Sequence, residues 1–358
     1  MNKLWSIVMV ELTNGCNFHC SFCPIDASKR DKRQMPRELW HKVLTELGRE
    51  KLCSTVFFHL LGEPLLHREV FEAIAYANSL DLSVSLYTNA ALLDSTRAVS
   101  LLQSLKKGRV VISLQDVDPL SFKERSRGRI PWEQYQEQIK AFVGLAASRE
   151  NRIPVQIHCL VDILGMGWNV IGILREQNRV RKYYGSWFKD GRHPRINIFN
   201  PSGVYPLPEG NASLYIKHKG TWDNMYIPDT LEVVPRDTGY CHLMTDTFAV
   251  LSNGVCTYCC CDYEGDLNLG NANDQTLREI YFGAKATRIR EEGLKGRMVE
   301  NRCRICRGTL VYRKDGKAVP SRNLITEFYL FKDHLRRYGT AGTIRKIGEN
   351  LRRRFRTG

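Results

Sequence analysis

Along the first two hundred positions the apolar residues alternate between two spacings. Short runs rich in Val, Ile, Leu and Phe fill 6–12, 55–61, 82–88, 110–114, 155–160 and 195–199, and read as strands. Between them lie longer stretches, at 36–49, 69–78, 95–105 and 132–147, whose apolar residues recur at helical spacing. Strand and helix signals in alternation predict βα units around a parallel sheet. Six strands fit an α/β fold of the partial (β/α)6 TIM-type barrel kind. From 179 to 240 the rhythm is lost and Gly, Pro, Tyr and Trp collect, as in Asn200-Pro201-Ser202-Gly203 and Pro206-Leu207-Pro208, which predicts an irregular connector. A Cys-rich segment follows, with one helix expected at 275–291. The expected organisation is a core barrel at 1–200, a connector at 201–240, a small α+β domain at 241–310 and a basic helical tail at 311–358.

Apolar residues make up 43% of the 358 and charged residues 25%, the mixture of a globular enzyme rather than of a disordered or fibrous chain. No window approaches the roughly 18 consecutive apolar residues of a membrane span, and the amino terminus, MNKLWSIVMVELTNGC, shows no small-residue cleavage site. The expected location is cytoplasmic. Twelve cysteines, grouped as C-x3-C-x2-C and C-x2-C, suggest metal rather than disulfides in such a chain. The net charge of +15 is concentrated late: from Arg313 onward there are 13 Lys and Arg against 4 Asp and Glu. A basic amphipathic helix there suits an anionic membrane, a lipid-linked substrate or RNA, and a solvated chain end explains it as well.

Cys16, Cys20 and Cys23 stand directly after the first strand. Three thiolates on one loop leave a coordination position open on a [4Fe-4S] cluster, where a structural site closes with a fourth ligand. The alternative is a zinc loop completed by His19 or Asp26. Phe22, in C-x3-C-x-aromatic-C, brings the segment to resemble the radical S-adenosylmethionine (SAM) superfamily, with the aromatic ring beside the adenine. That resemblance runs over about residues 5–200. Leu61-Gly62-Glu63-Pro64 is similar to the family's Gly-Gly-Glu-Pro, with Leu61 in place of the first glycine, and implies contact of Gly62 and Glu63 with the SAM amino group. Thr88-Asn89-Ala90 resembles its Thr-Asn-Gly, and Ser113 its serine facing the SAM ribose or carboxylate. Arg127 resembles an arginine that closes the next loop, and fits an exposed helix end equally.

Downstream, Gly254-Val255-Cys256-Thr257-Tyr258-Cys259, Asp262-Tyr263-Glu264-Gly265 and Leu269-Gly270-Asn271 resemble the SPASM or twitch extension of that superfamily. The ligand set this implies is Cys241, Cys259, Cys303 and Cys306, for a second, auxiliary [4Fe-4S] cluster, with Cys256, Cys260 and Cys261 as alternates. Four cysteines also make a zinc ribbon.

The resemblance implies reductive cleavage of SAM to a 5′-deoxyadenosyl radical that abstracts hydrogen, with an external donor such as flavodoxin or ferredoxin. The leading expectation is oxidation or epimerisation of a sugar-like or aminocyclitol-like substrate. Modification of a peptide or protein is the rival. The start of the motif at residue 16 speaks against an additional peptide-binding domain before the barrel. A reading from another class is a noncatalytic iron–sulfur or zinc protein that binds nucleic acid. Cys159, near the end of a strand, is a candidate hydrogen donor or else a core cysteine, and Cys53 a structural one. His193, Arg192, Arg195 and the aromatic run Tyr183-Tyr184-Gly185-Ser186-Trp187 are candidates for a polar substrate pocket.

Overall fold

Five parallel strands follow the apolar runs: β1 (Ile7–Val10), β2 (Thr55–Phe58), β3 (Ser83–Thr88), β4 (Gly108–Gln115) and β5 (Val155–Val161). The computed structural model describes residues 3–115, 117–148, 152–161, 178–180, 182–185, 187, 203–207, 211–218, 222, 224–227 and 229–316. The strand expected at 195–199, with Arg192, His193 and Arg195, lies outside these, as do Ser186 and the basic tail from 317 onward.

The parallel neighbour of β5 comes from the stretch expected to be irregular. It is β7 (Ala212–His218), which β6 (Gly203–Pro206) joins antiparallel. Leu214 and Ile216 are fully buried while Ser213 and Tyr215 are not, a period-two pattern that the flanking prolines obscure in the sequence. The connector therefore holds sheet, which corrects its reading as loops. Beyond it, β8 (Thr247–Val250) pairs parallel with β1, and β9 (Cys256–Thr257) antiparallel with β8. One nine-stranded sheet thus runs β9-β8-β1-β2-β3-β4-β5-β7-β6. Its parallel strands form the partial barrel.

Helices α1 (Arg37–Arg49), α2 (Val70–Ser79), α3 (Ser95–Ser104), α4 (Pro119–Ser126) and α5 (Trp132–Ser148) cover the outer face. Asp94 and Asp118 cap α3 and α4 by accepting the N–H groups of Arg97 and Ser121. The single helix expected at 275–291 is two, Leu277–Phe282 and Ala284–Leu294, separated at Gly283, the first started by a capping box of Thr276 and Glu279.

Val8, Val10, Val56, Phe58, Leu86, Val110 and Ile112 point outward and pack with Leu44, Leu47, Ile74 and Leu101 from the helices. Each such residue, fully buried, contributes about 1.5–3 kcal/mol. The alternate positions Ile7, Met9 and Phe57 face the other way, with Leu60, Leu61 and Leu251. Cys53, 4% exposed, belongs to the outer core, as expected.

The chain divides into two compact units. The larger holds residues 1–229 and 233–309, so the barrel and the Cys-rich segment share it. The smaller, 230–232 with 310–358, is described to residue 316, and within it Arg313 Nε donates to the Leu231 carbonyl at 3.0 Å. Among the described residues no helix is long and apolar enough to cross a membrane.

Candidate active site

The loop after β1 carries Cys16, Cys20 and Cys23, and its return path is fixed to the extension of that strand. Thr13 Oγ1 donates to the Arg33 carbonyl (2.9 Å), Arg33 N–H to Asn14 Oδ1 (2.7 Å), and Met35 N–H to the Leu12 carbonyl (2.7 Å). Within the loop, Cys23 N–H donates to the Cys20 carbonyl at 2.9 Å and Phe18 N–H to Cys16 Sγ at 3.3 Å. Burial pushes the thiols of Cys16 and Cys23 up to about 12, and neighbouring thiols add to this in both. Free of metal they hold their protons, which a metal bound there would displace. His19 Nδ1 faces both oxygens of Asp26 at 2.9 Å, so the two residues offered as a fourth zinc ligand engage each other. Phe22, half-buried, accepts Trp222 Nε1 on its carbonyl at 2.9 Å.

The turn after β2 sits against this loop. Glu63 N–H donates to the Gly15 carbonyl at 2.8 Å, and Gly62 holds φ +80°. A Cβ at Gly62 would stand 2.1 Å from the Thr13 carbonyl oxygen, so only glycine fits. Leu61, where the family has glycine, is 3% exposed among Met9, Ile25, Leu251 and Tyr263, and there seals the cysteine loop to the Cys-rich segment. The Glu63 carboxylate is 2% exposed and accepts from Leu65 N–H (3.0 Å), Thr88 Oγ1 (2.8 Å) and Asn89 N–H (2.6 Å). Burial outweighs these donors and lifts its pKa to about 7.

Asn89 Nδ2 donates to Asn17 Oδ1 at 2.7 Å and lies 3.8 Å from Cys16 Sγ, while Tyr135 Oη donates to the Asn89 carbonyl at 2.7 Å. Ser113 leaves β4 on the face opposite Val110, Ile112 and Leu114. Arg127 is the exposed, left-handed C-cap of α4. Cys159 is 1% exposed within the outer core, its Sγ 3.7 Å from the Gln115 carbonyl, so the candidate hydrogen donor points away from the barrel interior.

The interior carries residues that the sequence alone did not single out. His59 stacks on Tyr87 with centroids 4.4 Å apart, and His158 meets Tyr87 edge-on at 6.0 Å and Tyr215 at 5.0 Å. Gln156 Oε1 lies 2.8 Å from His158 Nε2. Lower in the barrel, Arg109 covers Phe57 at 5.6 Å and donates to Ser85 Oγ at 3.0 Å. All occupy alternate positions of neighbouring strands, a signal available from the period-two pattern once the outward face is known.

In the Cys-rich segment, Cys241, Cys259, Cys261, Cys303 and Cys306 line one cavity. Burial raises the Cys303 thiol first, and the thiols of Cys259, Cys241 and Cys306 raise it further. Cys303 and Cys306 stand on the short helix Asn301–Cys306. Of the alternates, Cys256 is fully buried in β9 and Cys260 packs beside Met9, Leu60 and Leu61, so only Cys261 reaches the cavity wall. Gly254 turns at φ +89°, where a Cβ would meet Asn273 and Asn271. Asp262 knits the following loop, accepting from Thr257 Oγ1 at 2.7 Å and from Leu267 N–H at 3.0 Å. Among the described residues no three His, Cys, Asp or Glu side chains close on a single ion, whereas five thiols around one cavity suit a larger sulfur-ligated group.

Residues 10–155 match the radical SAM superfamily, and residues 241–307 match the iron–sulfur cluster-binding SPASM domain. Over 174 residues the chain is 32% identical to the GTP 3′,8-cyclase of Microcystis aeruginosa, covering 45% of this chain and 49% of that one. Over 67 residues it is 36% identical to the S-adenosyl-L-methionine-dependent 2-deoxy-scyllo-inosamine dehydrogenase of Niallia circulans, covering 18% and 27%. It spans about half or less of the length of these curated relatives. Streptococcus suis SuiB bound to its precursor peptide SuiA shares the fold, with a TM-score of 0.51 and 16% identity over 80% of this chain and 67% of that one. The two matched regions begin and end around the cysteine loop and the cysteine-lined cavity, and the chain belongs to the radical SAM superfamily, with a SPASM iron–sulfur domain following its barrel.

Proposed function

We propose that the chain oxidises or epimerises a sugar-like or aminocyclitol-like substrate by radical SAM chemistry. Its two domains bring with them a SAM-binding [4Fe-4S] cluster and an auxiliary iron–sulfur cluster. Cys16, Cys20 and Cys23 are the residues to hold the first, and Cys241, Cys259, Cys303 and Cys306 the second, with Cys261 beside them. When bound, these groups and SAM supply a 5′-deoxyadenosyl radical at the expense of one electron from a flavodoxin- or ferredoxin-type donor.

The chain's own part is binding, orientation and exclusion of water. Glu63, buried and held by three donors, offers a fixed carboxylate to the SAM ammonium, a cation that draws the proton off the acid. Phe22 offers its ring to the adenine and Ser113 its hydroxyl to the ribose or carboxylate. Asn89, tied to Asn17 and to Tyr135, keeps the loop after β3 against the cysteine loop. Leu61, Met9 and Ile25 form an apolar seal.

The observation that carries the substrate reading is the inner wall of His59, Tyr87, His158 and Tyr215, with Gln156 behind His158. Flat rings pack on the C–H face of a saturated ring, while imidazole, phenol and amide groups hydrogen-bond to its hydroxyls. The Niallia circulans relative, by name a dehydrogenase of such a compound, supports the same class.

The test is formation of 5′-deoxyadenosine by the anaerobically reconstituted protein over a panel of aminocyclitols, sugars and peptides. A substrate-dependent increase with a cyclic polyol, abolished by the Cys16/Cys20/Cys23 triple alanine change, is expected. An increase with peptides alone would overturn the substrate class, and no cleavage under any condition would leave a noncatalytic iron–sulfur protein.

A further inference from the structure

Helix α4 ends beside the cysteine loop, and Lys123, Arg125 and the C-cap Arg127 crowd its last turn. Lys123 and Arg127 are exposed. Arg125 is 5% exposed, and among the described residues its guanidinium meets no carboxylate; its polar neighbours are the uncharged Cys20 thiol and Tyr135 hydroxyl, neither of which makes a well-formed hydrogen bond with it. Its guanidinium lies 5.2 Å from the ring of Phe18 and 5.5 Å from that of Phe122, and its carbonyl accepts the His19 N–H at 2.8 Å. The cation is thus wedged against the loop of Cys16, Cys20 and Cys23, where it bears on the Cys20 thiol.

A buried guanidinium without an anion is unfavourable by several kcal/mol, more than two aromatic faces at about 1–2 kcal/mol each readily offset. Folded proteins seldom leave such a group uncompensated. Among the described residues no carboxylate forms an ion pair with Arg125; Asp26, on the same loop, is taken by His19. The negative charge missing from this pocket is the one that a cluster on the loop brings, since three thiolates outweigh the charge of an oxidised [4Fe-4S] core and reduction makes the site more negative still.

We propose that Arg125 is the compensating cation of the SAM-site cluster, set on its Cys20 side, and that it raises the cluster's reduction potential by favouring the more negative, reduced state. This rests on the assignment of Cys16, Cys20 and Cys23 as that cluster's ligands.

Loaded wild type, Arg125→Met and Arg125→Lys are titrated potentiometrically, with the reduced cluster followed by electron paramagnetic resonance and identified by its spectral change on adding SAM. At equal iron content the midpoint of Arg125→Met is expected to be more negative than wild type, with Arg125→Lys between them. Cluster-free Arg125→Met is expected to melt at or above the wild-type temperature, because an unpaired buried charge has been replaced by apolar chain. A wild-type midpoint in the loaded Met variant overturns the proposal. So does weakened SAM binding at unchanged potential, which would make Arg125 a partner of the SAM carboxylate, and so does a cluster-free Met variant that melts well below wild type. If the Met variant takes up no iron, a wild-type midpoint in Arg125→Lys overturns the proposal and a more negative one supports it. A wild-type protein that takes up no iron would instead remove the ligand assignment on which the proposal stands.

Discussion

Arg30 grips Glu11 with both prongs of its guanidinium, Nη1 and Nη2 each 2.7 Å from a carboxylate oxygen. The Glu11 side chain has no exposure, and the same carboxylate accepts the N–H and the hydroxyl of Ser252 at 2.9 Å each. One residue at the end of β1 thereby ties the cysteine loop to the turn after β8. Two regions with separate cysteine sets thus share one buried carboxylate.

Breaking that pair from one side leaves the charge unpaired. Arg30→Met is expected to destabilise the protein by about 3–5 kcal/mol, the usual range for an uncompensated buried ion. Adding Glu11→Gln should restore part of the loss, since the amide keeps an acceptor for Ser252 without the charge. Urea unfolding of the wild type, both single variants and the double variant checks this, and additive losses would show that the two groups do not depend on each other.

The turn after β2 permits a sharper test. Gly62→Ala places a methyl 2.1 Å from the Thr13 carbonyl oxygen at a positive φ, so the cysteine loop or the turn must move. The expected loss is about 2–4 kcal/mol, combining overpacking with the left-handed conformation. Iron content after reconstitution should fall with it. A variant that folds and loads like wild type would mean that the turn gives way without cost.

How far the sequence reached can be seen in particular residues. The strands β1 to β5 and the helices α1, α2, α3 and α5 stand where the two apolar periods place them, because each buries one continuous stripe or face. β7 escaped because Leu214 and Ile216 lie among prolines and glycines that signal loops. The split at Gly283 escaped because the apolar spacing continues across it. Among the cysteines, spacing identified the two groups but could not tell Cys256 from Cys261, since strand alternation and the loop at Asp262 decide which thiol reaches the cavity. Arg125 was hidden among Lys123 and Arg127, although its position three residues after Phe122 on one helix face was a usable signal.

The acid at Glu63 carries a pH dependence of definite sign. Burial lifts its pKa from 4.5 to about 7, so between these values the folded, cluster-free protein holds a proton that the unfolded chain has released. Stability from this group therefore falls as pH rises through that window, by up to about 3 kcal/mol. Glu63→Gln cannot titrate. Relative to that variant, the wild type should lose stability between pH 5 and pH 8 in urea unfolding without metal. Parallel profiles would mean that the three hydrogen bonds, not burial, govern the acid.

The cysteine-lined cavity separates ligands from core residues by two different readouts. Cys303→Ala with Cys306→Ala removes two thiols from its wall and should lower iron by about four atoms per chain, the content of one [4Fe-4S] cluster. Cys256→Ala should leave iron unchanged and instead cost about 1–2 kcal/mol, because it empties part of a fully buried site in β9. Cys261→Ala is the discriminating change, since its thiol shares the wall with Cys259 but lies outside the four cysteines proposed as ligands. Full iron with an altered electron paramagnetic resonance signal is expected, the behaviour of a side chain beside the cluster. Loss of about four irons in Cys261→Ala, with Cys259→Ala still loaded, would exchange the two residues' roles.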